Sequence, residues 1–163
     1  MENIADKIIS KFPDLKEADK VQRAERIWVK VPYANFRELL DFTVKDLKVS
    51  HFCMLTGLDD KENYSFIYHM ADEGALMLNI ETSIPKTNPV IKTITDMFPA
   101  AELQERELTD LFGVTVTGLG EGKRYPLPDD WPQGEYPLRK DWNESRLDGK
   151  YPPKEKKEEC GNV

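Results

Sequence analysis

Apolar residues recur every three or four positions at the start of the chain, at Ile4, Ile8, Ile9 and Phe12, and Pro13 follows. That spacing predicts a short amphipathic helix over 2–12, stopped by a proline that lacks the amide a further turn requires. RIWVKVP (26–32) is dense in β-branched and aromatic side chains and predicts a strand, with ADKVQRAE (18–25) as a weaker partner strand. In YANFRELLDFTVKDLKV (33–49), Phe36, Leu39, Leu40, Val44 and Leu47 fall on one side of a 3.6-residue repeat, as in an amphipathic helix.

Three strands are then expected, at VSHFCMLTG (49–57), NYSFIYHMA (63–71) and ALMLNIETSI (75–84). The third alternates most cleanly, with Leu76, Leu78 and Ile80 set against Met77, Asn79 and Glu81. LDDKEN and DEG lie between them, and the second connection is short enough to force antiparallel neighbours. NPVIKTITDMF (88–98) places Val90, Ile91, Ile94, Met97 and Phe98 at helical spacing behind Pro89, which predicts a helix. Another is expected over AELQERELTDLF (101–112), with Gly113 as its left-handed cap and VTVT as a brief strand. The order of elements implies an α+β fold: a single mixed or antiparallel sheet with helices packed on it, occupying residues 1–117.

From Gly118 to Val163 the pattern changes, and composition begins to matter. Most of the glycines and over half of the prolines fall there, with Tyr125, Trp131, Tyr136, Trp142 and Tyr151 but few aliphatic residues. PLPDDWPQGEYPLRKDW (126–142) supports neither a helix nor a good strand, yet carries two indoles. An extended arm is expected, stiffened by proline and docked through its rings, either on a neighbouring polypeptide or back over its own sheet. The closing PPKEKKEECGNV reads as a charged, mobile terminus.

A net charge of −7 argues against binding nucleic-acid backbone or an anionic membrane surface, both of which need clustered Lys and Arg. The first residues lack the apolar run of a signal peptide, and no stretch approaches the roughly 20 apolar residues of a membrane span. A soluble, intracellular chain is expected. Cys53 and Cys160 form neither a disulfide framework nor a metal spacing.

Candidate chemistry is sparse. ERELTD crowds Glu105, Arg106, Glu107 and Asp110 into a turn and a half, with Arg106 four residues from both Glu102 and Asp110. Paired carboxylates can divide acid and base roles when burial separates their pKa values, but no nucleophile or histidine stands nearby in the sequence. A charged helix face with a structural or docking role is favoured. His51 and His69 lie in separate strands without ligand spacing. GLGEG (118–122) lacks the following helix that a phosphate-cradling loop requires, and reads as a flexible joint.

FPAAELQERELTDLFGV (98–114) followed by LPDDWPQGEYPLRKDW (127–142) resembles the signature of the C subunit of respiratory complex I, the thirty-kilodalton subunit of NADH:quinone oxidoreductase. The module also occurs in membrane-bound, energy-converting nickel–iron hydrogenases. The matching residues are Glu105, Arg106 and Glu107; Asp110, Leu111, Phe112 and Gly113; Pro128, Asp130 and Trp131; and Pro137, Leu138, Arg139, Lys140 and Asp141. Where complex I members carry a His-Pro-Asp-Leu-Arg-Arg type segment after the glycine, this chain reads GLGEGKRYPL (118–127).

The resemblance implies a cofactor-free subunit at the cytoplasmic face of a membrane-bound redox complex. Its partners would be a large quinone-site or nickel–iron subunit and a small iron–sulfur subunit, with clusters, a nickel–iron centre or a flavin held by those partners. On that view Arg139 and Lys140 offer charge to a partner, Trp131 and Trp142 are apolar anchors, and ERELTD fixes the arm's root or faces the same partner. Two rivals remain open on the sequence: a free-standing acid–base enzyme using Glu105, Glu107 or Asp110, and an independent adaptor.

Overall fold

The computed structural model describes residues 4–15, 19–23 and 25–150. The expected mobile terminus and Cys160 lie outside these residues. Strands β1 (Asp19–Arg23), β2 (Arg26–Lys30), β3 (His51–Asp60), β4 (Asn63–Ala71) and β5 (Met77–Pro85) form one sheet in the order β1-β2-β5-β4-β3. Three pairings are antiparallel; β2 and β5 run parallel, so the sheet is mixed, as expected. That parallel pairing requires a crossover, supplied by helix α2 (Tyr33–Lys45) and the β3–β4 hairpin. The hairpin turn is tighter than LDDKEN suggested, because β3 continues to Asp60 and Lys61 takes the left-handed conformation at φ 49°.

Helix α1 (Ile4–Lys11) and α2 pack on one face of the sheet together with α3 (Glu102–Phe112), which a 3-10 turn at Pro99–Ala101 introduces. Ile27 and Val29 of β2, Tyr64, Phe66, Tyr68 and Met70 of β4, and Leu78, Ile80 and Ile84 of β5 point into this layer and are nearly inaccessible. Aromatic contacts join the layers: Phe36 of α2 lies 4.3 Å from Tyr68, and Phe112 of α3 meets Tyr64 edge-on at 5.7 Å. Gly57 lets α3 approach β3, since a Cβ there would stand 2.5 Å from the Leu108 Cδ2 atom. At the sheet's edge, the Gln104 side-chain carbonyl accepts the free Leu55 N–H at 2.7 Å, so α3 also covers part of an exposed strand edge.

One expected helix is absent. Residues 88–98 form strand β6 (Val90–Lys92) and a turn, and β6 pairs in parallel with β7 (Thr115–Thr117) as a separate two-stranded sheet. The apolar spacing there fits a helix, but Val90, Ile91, Thr93, Ile94 and Thr95 are all β-branched and favour extended backbone. Burial alternates with a period of two: Ile91 is inside, Val90 and Lys92 outside.

The histidines behave as sheet residues. His69 lies 2.6 Å through Nδ1 from the Asn79 side-chain oxygen and 3.1 Å through Nε2 from the Thr56 hydroxyl, while His51 is exposed. Cys53 is an exposed strand thiol. Among the described residues, no helix is long and apolar enough to cross a membrane, and no group of three or more His, Cys, Asp or Glu is placed to hold a metal.

Candidate functional site

The signature helix α3 is the point from which the rest of the C-terminal half is held. Glu105 is fully inaccessible. Its carboxylate accepts the Thr93 hydroxyl at 2.5 Å and the Ile94 N–H at 2.7 Å, fastening the segment after β6. Burial pushes this carboxyl above its ordinary value, and the two hydrogen bonds pull the other way. Arg106 turns to the opposite side. It donates to the Glu102 carboxylate at 2.9 Å and to the Gly120 carbonyl at 2.8 Å, with Gly122 packed so closely that any side chain would meet the guanidinium. The GLGEG loop, expected to be a flexible joint, is thus pinned to α3.

Asp110 pairs with Arg124 at 3.0 Å rather than with Arg106, and also accepts the Leu127 N–H at 3.3 Å. Arg124 in turn donates to the Trp131 carbonyl at 2.7 Å. The last carbonyls of any helix lack partners within it. Here Leu111 receives the Leu138 N–H at 3.1 Å, and Phe112 receives the Arg139 Nε at 2.7 Å. Gly113 makes this approach feasible: its φ is 73°, and a Cβ would stand 2.5–2.6 Å from Arg139 and the Tyr136 ring.

Further along, the Arg139 guanidinium lies 4.2 Å above the Tyr136 ring and 5.7 Å from that of Tyr64, which Lys86 approaches at 5.4 Å. Asp59, at the end of β3, is buried; it accepts the Lys140 N–H at 2.9 Å and forms an ion pair with Lys86. Burial alone would raise its carboxyl, but Lys86 and the Lys140 amide together hold it below the ordinary value.

Both indoles of the arm converge on Glu135. Its backbone carbonyl accepts the Trp131 Nε1 at 2.8 Å, and its carboxylate accepts the Trp142 Nε1 at 3.1 Å, the Arg146 Nε at 3.1 Å and the Lys150 Nζ at 2.6 Å. The two rings stand 6.2 Å apart. Lys150, first among these partners, lowers the Glu135 carboxyl below its ordinary value.

The residues expected to act together therefore divide. Glu105, Arg106, Asp110, Gly113, Arg139 and the two indole N–H groups are engaged inside the chain. Leu138, Lys140 and Asp141 keep exposed side chains, Pro137 is half-buried, and Glu107 is half-buried without a hydrogen bond or ion pair among the described residues. Glu105, Glu107 and Asp110 do not converge on a common cleft: one points to Ile94, one outward, one to Arg124. Glu135, Asp59, Arg124 and Thr93 carry much of the arrangement and were not anticipated. For Glu135 a signal existed, as one of two carboxylates, with Asp141, lying between two tryptophans whose N–H groups need acceptors once buried.

The chain shares its fold with a chain of a respiratory membrane complex. Residues 29–146 match the family described as the respiratory-chain NADH dehydrogenase 30 Kd subunit, and the chain belongs to that family. It is 31% identical over 146 residues to the membrane-bound hydrogenase subunit beta of Pyrococcus furiosus, covering 86% of this chain and 84% of that one. To the C subunit of the NADH-quinone oxidoreductase of Moorella thermoacetica it is 28% identical over 145 residues, covering 87% and 95%. In structure it is similar to a chain of the membrane-bound sulfane sulfur reductase, an archaeal respiratory membrane complex, with a TM-score of 0.75, 26% identity and coverage of 98% and 97%.

Proposed function

We propose that the protein is a structural, cofactor-free subunit of a membrane-bound redox complex of the complex I or energy-converting hydrogenase type. It sits peripherally on the cytoplasmic side and docks on the large catalytic subunit, beside a small iron–sulfur subunit. Redox groups (iron–sulfur clusters, with a nickel–iron centre or a flavin) belong to those partners. The observation that carries this reading is the use made of the signature residues. Their carboxylates serve separate partners, Glu105 the Ile94 N–H and Asp110 the Arg124 guanidinium, and together the signature residues lock an aromatic arm against α3 into one fixed surface, with the Leu138, Lys140 and Asp141 side chains exposed. A preformed surface loses little conformational entropy on docking, which suits a permanent subunit.

The test is to delete residues 124–163 and isolate the assembly through its large subunit. The expected result is loss of this chain from the complex and a lower electron-transfer rate. Unchanged stoichiometry and rate would remove the docking role.

A further inference from the structure

One flank of α3 is covered only in part by the rest of the chain: Leu103 is exposed, Glu107 is half-buried, and Leu111 is half-buried at the margin of the core. Leu103, Glu107 and Leu111 follow one another at four-residue intervals and so lie in a row along the helix, about 12 Å from end to end. The neighbouring positions are occupied: Gln104 and Leu108 face β3, while Arg106 and Asp110 hold the loop and the arm. Leu138 is held beside the C-terminal end of the row by its N–H bond to the Leu111 carbonyl, and its side chain is 52% exposed; Leu103 is 54% exposed. In the middle stands Glu107, half-buried, with no cation brought to it among the described residues.

We infer that this row is a docking site for a partner-subunit segment that presents an arginine or lysine flanked by apolar side chains. The cation meets Glu107, and the flanking side chains cover Leu103 on one side and Leu111 with Leu138 on the other. A half-buried carboxylate between an exposed leucine, Leu103, and a half-buried one, Leu111, favours this chemistry: a purely apolar segment would strand the charge, and a purely basic one would leave Leu103 wet. The chain's own terminal stretch, KEKKEECGNV (154–163), supplies lysines but almost no apolar side chains, so it is a poor occupant. This inference rests on the reading of the protein as a docked subunit.

The experiment uses the full chain, affinity-tagged and expressed in its native membrane system, with the amounts of co-purifying redox subunits measured by mass spectrometry. Glu107→Lys and Leu103→Asp should each lower their retention about tenfold or more, and Glu107→Gln by a smaller factor, with the thermal midpoint of each isolated variant unchanged. A photo-crosslinking phenylalanine derivative at position 107 should label a partner peptide containing Arg or Lys beside apolar residues. Changing that residue to Glu should restore retention of the Glu107→Lys variant. Retention unaffected by both charge-altering variants would overturn the assignment, as would crosslinks confined to a second copy of this chain or to residues 151–163. If the unmodified chain retains no redox subunit at all, the docked-subunit reading itself fails and this site falls with it.

Discussion

The Trp142 indole donates its Nε1 hydrogen to the Glu135 carboxylate across 3.1 Å, inside a segment with no regular strand or helix between the two residues. Because Trp131 uses the carbonyl of the same residue, Glu135 is the acceptor around which this part of the arm closes. Replacing Glu135 by Ala removes the carboxylate from Trp142, Arg146 and Lys150 while leaving the carbonyl for Trp131. The expected outcome is a red-shifted tryptophan emission and several-fold faster proteolysis between residues 124 and 150, with little change in the far-ultraviolet signal of the sheet.

The same carboxylate makes the arm sensitive to acid. Its pKa is lower in the folded chain than the ordinary 4.5, so its contribution is fully present above that value and disappears as pH falls through the folded one. Tryptophan emission followed from about pH 6 to about pH 3 should shift in that window, and Glu135→Gln should abolish the transition.

Glu105 has the opposite sign. Burial raises its pKa above the ordinary 4.5, so the folded state binds more protons than the unfolded one between those values, and stability falls as pH rises through that interval. Glu105→Gln should flatten this slope in urea titrations performed at several pH values. Glu105→Ala should destabilise by about 2–4 kcal/mol, since it leaves the Ile94 N–H and the Thr93 hydroxyl without their acceptor and opens a void.

An exposed pair offers a contrast. Arg37 of α2 holds Asp96 through two hydrogen bonds, yet both side chains remain substantially accessible. Arg37→Ala should cost no more than about 1 kcal/mol, and the loss should shrink in high salt.

Two glycines in left-handed conformation separate backbone strain from crowding. Gly134 has φ 81° and open space around the position of a Cβ, so Gly134→Ala should cost about 1–2 kcal/mol. Gly113→Ala adds a collision with Tyr136 and Arg139 to the same strain. It should destabilise more and also free the arm, seen as tryptophan emission resembling that of Glu135→Ala.

Much of the sheet layer is legible in the sequence because its signals are local. The apolar stripe of α2, the alternation in β5 and the glycine ending α3 each lie within a single element. The 88–98 segment misleads because its helical spacing is also local, whereas β7 and Glu105, which hold it, lie outside the segment, further along the chain. For the arm, composition indicates that the rings will find contacts but not where. Trp131 and Trp142 turn to Glu135, while Arg139, expected to offer charge outward, reaches the Phe112 carbonyl instead. Backbone carbonyls carry no signature in a sequence, so a contact of that kind is invisible until the fold is known.

The arm's footholds tie its closure to two elements that are far apart in the sequence. Asp59 ends a strand and Phe112 ends a helix, and Lys140 and Arg139 need both ends side by side. Full closure of the arm is therefore coupled to the mating of sheet and last helix, and prising those two ends apart removes both footholds at once.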